Sequence, residues 1–213
     1  MICTSIGNCS VDECISAING SPFSEVRLDS IKSIDAHGVK KIFSQKAKLI
    51  ATCRPDSKSE SAQKELLFAA IDAGAAYVDI EVDAEDAYKN EVVKKAKSKG
   101  CKIIMSYHDF EKTPVRQELD QIIIWCFDSN ADIAKIACQV NSDQDASRLL
   151  GLLDDKRKIV VVGMGQKGKI VRIAAPLLGS PFTYASLSGG KETASGQIPR
   201  KEMERILRVL SSV

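Results

Sequence analysis

Short apolar runs rich in β-branched residues alternate with longer amphipathic segments along the whole 213-residue chain. Eight of these runs have the length of strands and the continuous apolar character expected of strands covered on both faces. They are residues 2–7, 25–29, 48–54, 77–82, 102–108, 131–138, 158–164 and 181–188. Segments with helical periodicity lie between them, among them residues 61–74, 85–100, 143–155 and 199–210.

This alternation predicts one compact domain over residues 1–213, since no linker-like or low-complexity segment interrupts it. Eight strands, each followed by a helix, are best accommodated by a closed (β/α)8 barrel, the TIM barrel. An open, doubly wound α/β sheet is the alternative architecture. The barrel interpretation demands that functional side chains lie at the C-terminal ends of the strands.

Composition excludes several classes of protein. The content of 44% hydrophobic and 27% charged residues is ordinary for a globular chain. The formal net charge is +2 and the basic residues are scattered, so we expect neither a nucleic-acid nor a membrane partner. No apolar run approaches the roughly 20 residues that span a bilayer. The start, "MICTSIGNCS", lacks the basic and apolar regions of a signal peptide, so we expect none.

Cysteine and histidine usage indicates a cytoplasmic protein without a bound metal. The seven cysteines are an odd number without a CxxC pair, which fits reduced thiols in a reducing compartment. Only two histidines occur, His37 and His108, so a histidine-based metal site is not expected. We expect His37 to be a surface residue near a helix start and Trp125 to lie in the core side of a helix.

Ionisable residues recur near the ends of the predicted strands. They are Glu25, Arg27, Asp29, Arg54, Asp79, Glu81, His108 and Lys135, and Arg172 follows the seventh strand. Lys135 is the most unusual, because it interrupts the apolar run "ADIAKIACQV" (131–140). Either its side chain reaches the surface, or its amine is kept dry so that the neutral form can attack a carbonyl. Each residue alone fits a structural ion pair, but together they converge on one mouth of a barrel.

Several motifs in order make the chain similar to one enzyme family. They are "EVRLD" (25–29), "SYHDFEKTP" (106–114), "ADIAKIA" (131–137), "KIVRIA" (169–174) and "TASGQIP" (193–199). Together they resemble type I 3-dehydroquinate dehydratase of the shikimate pathway over nearly the whole chain. The paired "SYHDF" and "ADIAKIA" motifs carry most of the specificity.

The resemblance implies dehydration of 3-dehydroquinate to 3-dehydroshikimate without a metal or other cofactor. Lys135 would form a Schiff base with the substrate ketone, and His108 would act as general acid and base. Arg172 would hold the substrate carboxylate. The other implied substrate-binding residues are Glu25, Arg27, Arg54, Thr193 and Gln197. Residues 187–197 would form a mobile lid, and a cytoplasmic homodimer is the family expectation.

The segment after the third predicted strand departs from the family pattern. Lys58 occupies the place of a glutamate that would lie near the catalytic histidine, and Glu60 is the candidate replacement. The family's hydroxyl contact on the first strand is open between Thr4 and Ser5.

Three other interpretations remain open. Gly163, Gly165 and Gly168 match the G-x-G-x-x-G dinucleotide fingerprint, although a tight turn or anion-binding loop explains them as well. The motif falls late in the chain, and the acidic residue expected after the next strand is missing. Another Schiff-base barrel, such as a class I aldolase, would share the lysine. An inactive barrel that binds a polyol acid would keep the fold without turnover. The sequence does not indicate whether an active enzyme would serve biosynthesis or quinate breakdown.

Overall fold

The computed structural model describes residues 1–55 and 58–211. Its strands are β1 (Ile2–Ile6), β2 (Phe23–Arg27), β3 (Lys48–Thr52), β4 (Tyr77–Glu81), β5 (Lys102–Asp109), β6 (Ile133–Gln139), β7 (Ile159–Met164) and β8 (Thr183–Ser186). Its helices are α1 (Val11–Asn19), α2 (Ala36–Phe43), α3 (Glu60–Asp72), α4 (Asp86–Ser98), α5 (Arg116–Asp128), α6 (Asp143–Leu150), α7 (Lys169–Ala174) and α8 (Arg200–Ser211). None of these helices is both long and apolar enough to cross a bilayer.

The strands follow one another in the order β7-β6-β5-β4-β3-β2-β1-β8 within a single sheet. The two strands at the ends of this order, β7 and β8, also contact each other. A doubly wound sheet would reverse its strand order at a switch point, and this sequential order has no such reversal. The fold is the predicted (β/α)8 barrel, and the open-sheet alternative is wrong.

The chain divides into two compact units, residues 4–104 and residues 1–3 with 105–213. Both divisions fall inside strands, within β1 and within β5. In the first unit β2 pairs in parallel with β1 and β3, and β3 pairs in parallel with β4. In the second unit β6 pairs in parallel with β7. The assignment of one domain to residues 1–213 stays a prediction.

Strands of the first unit change from apolar to polar along their length. At their starts, the rings of Phe23 and Tyr77 lie 6.1 Å apart. The ammonium of Lys48 lies 5.2 Å from the Phe23 ring centroid and 4.9 Å from that of Tyr77. Toward their ends the same strands carry buried polar residues, such as Glu25 and Thr52. Apart from Lys48 at the start of β3, the polar groups named here lie toward the C-terminal ends, where a barrel enzyme has its active site.

Two expectations about local structure are wrong. Asp29 was expected on β2, but the strand ends at Arg27 and Asp29 lies in a short 3-10 helix, Leu28–Ser30. Trp125 was expected in a helix core, but it is 42% exposed on α5. The buried residues of α5 are Leu119, Ile123 and Cys126, and Trp125 lies outside this stripe.

Other expectations are confirmed. His37 is exposed and is the second residue of α2. Each of the seven cysteines is a thiol outside any disulfide, and Cys53, Cys101 and Cys138 are buried. Burial is the main cause that raises the pKa of Cys53 and that of Cys138, each to about 12. These thiols therefore pack as small apolar side chains.

The glycine motif after β7 meets a packing requirement. A Cβ atom on Gly163 would lie 2.6 Å from the carbonyl oxygen of Gly168. A Cβ on Gly168 would lie 2.5 Å from the carbonyl oxygen of Met164 and would also overlap the backbone of Gly163. The end of β7 and the start of α7 approach so closely that only hydrogen fits between them. This steric need explains the first and last glycines without a nucleotide.

We predict that Gly168→Ala destabilises the fold far more than Gly189→Ala does. Gly168 has a helical φ of −74°, so alanine would bring no backbone strain, only the overlap with the backbone of Gly163 and Met164. Nothing lies within 4 Å of a Cβ at Gly189. Both changes have the same effect on the unfolded chain. Urea unfolding should show a difference of at least about 2 kcal/mol, and equal stabilities would contradict the packing account.

Candidate active site

Glu25 is a buried carboxylate held by two hydroxyl groups. Ser5 donates a hydrogen bond to its Oε2 over 2.5 Å, and Thr52 donates one to its Oε1 over 3.0 Å. The hydroxyl of Thr4 instead accepts from Ser21 over 2.9 Å. Ser5, and not Thr4, therefore shares a face of the sheet with Glu25, whereas the choice between them for the family's hydroxyl contact stays a prediction.

Arg54 follows β3 and is held by two carboxylates of β4. Its Nη1 donates to Oδ1 of Asp79 over 2.9 Å and also contacts Oε1 of Glu81. Burial works to lower the pKa of Arg54, but Asp79, Glu81 and Glu25 outweigh it and raise the pKa above its ordinary value. The guanidinium is therefore a permanent charge whose position is fixed by β4.

Arg27 makes a two-pronged ion pair with Asp29. Its Nε and Nη2 donate to the two carboxylate oxygens over 3.0 and 2.7 Å. Oδ1 of Asp29 also accepts from the backbone N–H of Arg54 over 3.2 Å. The 3-10 turn after β2 thus places the Asp29 carboxylate against Arg27, the last residue of that strand. In this unit both arginines already engage carboxylates, and carboxylates outnumber them.

We predict that Arg54→Ala destabilises the protein by about 3–5 kcal/mol, because it leaves the fully buried carboxylate of Asp79 without its cation. Arg27→Ala is the matched control, since the Arg27 side chain is more exposed and its partner Asp29 keeps the backbone N–H of Arg54. Urea unfolding at pH 7 measures both. A loss for Arg54→Ala no larger than that for Arg27→Ala would show that the Arg54 cluster is not a structural requirement.

Lys135 lies in the middle of β6 and is only 5% exposed. Its neighbours Ala134 and Ile136 are fully buried. Its Nζ lies 4.7 Å from the ring centroid of Tyr184 on β8. Because β7 lies between β6 and β8, the contact places both side chains on one face of these strands. The lysine head group is inside the protein, so it does not reach the surface as the simpler interpretation would have it.

His108 lies near the end of β5, the strand next to β6. It is half-buried, and its ring stacks on that of Phe110 with centroids 5.9 Å apart and planes 16° apart. Phe110 itself is 71% exposed. The following segment is tied to β6 by Thr113, which donates to the carbonyl oxygen of Gln139 over 2.7 Å. His108 therefore stands at an accessible strand end, beside the strand that carries the lysine.

Arg172 is buried at 1% exposure on α7, in the turn after β7. Its Nη2 donates to the carbonyl oxygen of Ser195 over 3.1 Å. Its own carbonyl oxygen accepts from the hydroxyl of Thr183 over 2.8 Å. The guanidinium is thus tied to the segment after β8, which also carries the predicted residues Thr193 and Gln197.

Thr193 and Gln197 bind each other within that segment. The backbone N–H of Thr193 donates to Oε1 of Gln197 over 2.8 Å, and Nε2 of Gln197 donates to the Thr193 hydroxyl over 3.1 Å. Between them, Gly196 has a φ of +78° and packs against the backbone of Gly165. The segment that carries Thr193 and Gln197 therefore packs directly against the middle glycine of the G-x-G-x-x-G motif. Its mobility as a lid stays a prediction.

Comparison with known proteins identifies the family. The family model of type I 3-dehydroquinase matches residues 2–212. A 3-dehydroquinate dehydratase of Methanocaldococcus jannaschii is 34% identical over 99% of both chains. One of Methanosarcina acetivorans is 40% identical over 62% of this chain and 57% of the relative. The chain belongs to the type I 3-dehydroquinase family. It is a hydro-lyase, and the class I aldolase alternative is wrong.

The solved structure of a type I 3-dehydroquinate dehydratase from Clostridium difficile, with covalently modified comenic acid, matches the fold. Its TM-score is 0.86 at 25% identity, over 98% of this chain and 91% of that one. This likeness to a type I 3-dehydroquinase confirms the barrel independently of the strand pattern.

Two features of the site bear on the departure from the type I 3-dehydroquinase pattern. Glu60 is exposed as the first residue of α3, and Lys58 is half-buried just before it. The assignment of Glu60 as the acidic partner of His108 stays a prediction.

Across residues 1–55 and 58–211, no group of three or more His, Cys, Asp or Glu is arranged to hold a metal ion.

Sequence reasoning missed Tyr184. The run "PFTYASLS" was recognised as a strand, but none of its residues was assigned to the site. Phe182 immediately precedes β8 and Tyr184 lies within it, two positions further on, and their rings meet edge to face, 5.4 Å apart at 71°. The period of two was visible in the sequence, whereas the contact with Lys135 depends on how β6, β7 and β8 assemble.

Proposed function

We propose that this chain converts 3-dehydroquinate to 3-dehydroshikimate and water through a Schiff base on Lys135. The observation that carries the proposal is the buried amine at the centre of β6, in a chain of the type I 3-dehydroquinase family. Only the neutral form of an amine attacks a carbonyl. The strand places this amine inside the protein, away from bulk water.

In the proposed reaction the neutral amine adds to the C3 ketone, and the carbinolamine loses water to give an iminium. His108 takes the C2 proton, and the electron pair moves into the iminium to form an enamine. The enamine then expels the C1 hydroxyl, which leaves as water with a proton from His108. Hydrolysis of the conjugated iminium releases 3-dehydroshikimate and the free amine, so one water is lost overall.

His108 suits both directions of proton transfer. Imidazole as a class changes charge near neutral pH, so it can accept the C2 proton and return one to the leaving group. The half-buried position of His108 at the end of β5, beside β6, supports this role.

Substrate-binding roles are proposed for several polar residues. The carboxylate of the substrate is assigned to Arg172, whose contact with Ser195 is to a neutral carbonyl oxygen. Thr193 and Gln197 are assigned to the same end of the substrate. From the family resemblance, Ser5, Glu25, Arg27 and Arg54 are assigned to its hydroxyl groups and carboxylate.

The proposed chemistry uses protein groups alone, without a metal or nucleotide. A homodimer and a cytoplasmic location also stay predictions, which light scattering and cell fractionation would test.

The Schiff base can be trapped with borohydride in the presence of 3-dehydroquinate. We expect a reduced adduct on Lys135 by peptide mapping. Lys89 is the internal control, because it is equally buried at 4% exposure but its Nζ is bound by the Val82 carbonyl over 2.6 Å and by Asp86 over 3.0 Å. An adduct on Lys89, or none at all, would defeat the assignment of Lys135.

We predict that His108→Ala lowers turnover by about 10²- to 10⁴-fold. Turnover is measured from the absorbance of the conjugated enone. The borohydride adduct should still form in this variant. Near-normal turnover would remove His108 from the mechanism. Substrate binding without turnover in the unaltered protein would favour the inactive polyol-acid-binding barrel.

We predict that Arg172→Ala raises KM and lowers kcat, because a misplaced carboxylate also misplaces the reacting carbons. The combined loss in kcat/KM should be about 30- to 1000-fold. Arg172→Lys keeps the charge but loses the two-pronged geometry, so it should rescue only in part. Arg157→Ala, which removes an exposed ion pair with Asp155, is the control. Wild-type kinetics in both Arg172 variants, with folding verified by circular dichroism, would make Arg172 structural.

A further inference from the structure

The proposed function places opposite demands on one nitrogen atom, and the inference that follows rests on it. The Lys135 amine must lose its proton to attack the ketone. The imine that forms must then be protonated, because only a cationic nitrogen withdraws the electrons released at C2. An imine nitrogen is less basic than the amine from which it forms. An iminium in the apolar interior therefore needs a partner that stabilises its positive charge.

The ring of Tyr184 offers a partner for the cation without a charge of its own. The face of an aromatic ring is electron-rich and attracts a cation within about 6 Å of its centroid. The Lys135 Nζ lies 4.7 Å from that centroid. Both side chains are buried, so little water competes with the contact. The attraction acts on an ammonium or an iminium and is absent for a neutral amine.

The ring is also held in place. Tyr184 belongs to β8, and its ring forms a T-shaped pair with that of Phe182 at a centroid distance of 5.4 Å and an angle of 71°. Tyr184 cannot turn away from the nitrogen without disturbing this buried pair. This packing therefore favours a ring that keeps its face toward the nitrogen.

We propose that the face of the Tyr184 ring keeps the imine on Lys135 protonated during the reaction. The imine retains the proton that it carries as an iminium, and no further bond is made or broken by the ring. A ring face is a weaker partner than a carboxylate, and it stabilises the cation without a formal negative charge.

The test varies the electron density of the ring at constant size. Phenylalanine and 3,4,5-trifluorophenylalanine are placed at position 184, together with Tyr184→Leu. Each protein is mixed with 3-dehydroquinate and cyanoborohydride, which reduces the iminium much faster than a neutral imine or a ketone. Tyr184→Phe should trap within about twofold of wild type, since its ring face is kept. The trifluorinated ring and leucine should slow trapping on Lys135 by about 2- to 30-fold.

Tyr77 provides the matched control. It is also a buried tyrosine with a lysine, Lys48, at 4.9 Å from its ring centroid, and it lies at the start of β4. The same replacements at Tyr77 should leave trapping on Lys135 unchanged. Because fluorination alters the ring without removing it, the comparison stands even if Tyr184→Leu does not fold.

The outcomes separate the two proposals. An adduct on Lys135 that forms equally fast in wild type and in the trifluorinated protein overturns the role of Tyr184 and leaves the Schiff base standing. A loss in Tyr184→Phe as large as that in Tyr184→Leu also overturns it, since the hydroxyl and not the ring would then matter. No adduct in wild type overturns the Schiff base, and the role of Tyr184 with it.

Discussion

The structure depends on one constraint, which is that every charged group buried in the sheet needs a partner inside the protein. Burying such a charge costs several kcal/mol unless a partner replaces the lost water. Strands must therefore bring a partner to each charged residue at their C-terminal ends. The barrel can hold ionisable chemistry only where neighbouring strands supply hydroxyl groups, opposite charges or aromatic faces at matching heights.

The structure meets this constraint in three different ways. Glu25 is held by the hydroxyls of Ser5 and Thr52, and Arg54 is held by the carboxylates of Asp79 and Glu81. Lys135 instead contacts the face of a neutral ring. Hydroxyls and carboxylates hold the groups they bind in fixed positions, which suits the proposed role of orienting a substrate. The ring face carries no formal charge, which suits the role proposed for Lys135.

The strand positions and the placement of Lys135 and His108 were predictable from the sequence, because they depend on local apolar pattern and on the order of βα units. The position of Asp29 was not, since its carboxylate turns back to Arg27 and to the backbone of Arg54, contacts that no local pattern encodes. Trp125 was misplaced for a related reason. An apolar side chain in a helix predicts burial only if it falls on the stripe that packs, and the stripe of α5 runs through Leu119, Ile123 and Cys126.

The glycine motif shows why a local pattern and a function can separate. Three glycines after a strand are compatible with a phosphate cradle, but the same spacing also lets backbones touch. Here Gly163 and Gly168 lie against each other, and Gly165 receives Gly196 from the segment that carries Thr193 and Gln197. A motif that resembles a nucleotide site is thus the packing surface for this loop, whose Ser195 carbonyl oxygen also accepts a hydrogen bond from Arg172. The close packing of these three backbone segments brings the guanidinium and the loop residues together, so the glycines act on this region through its shape.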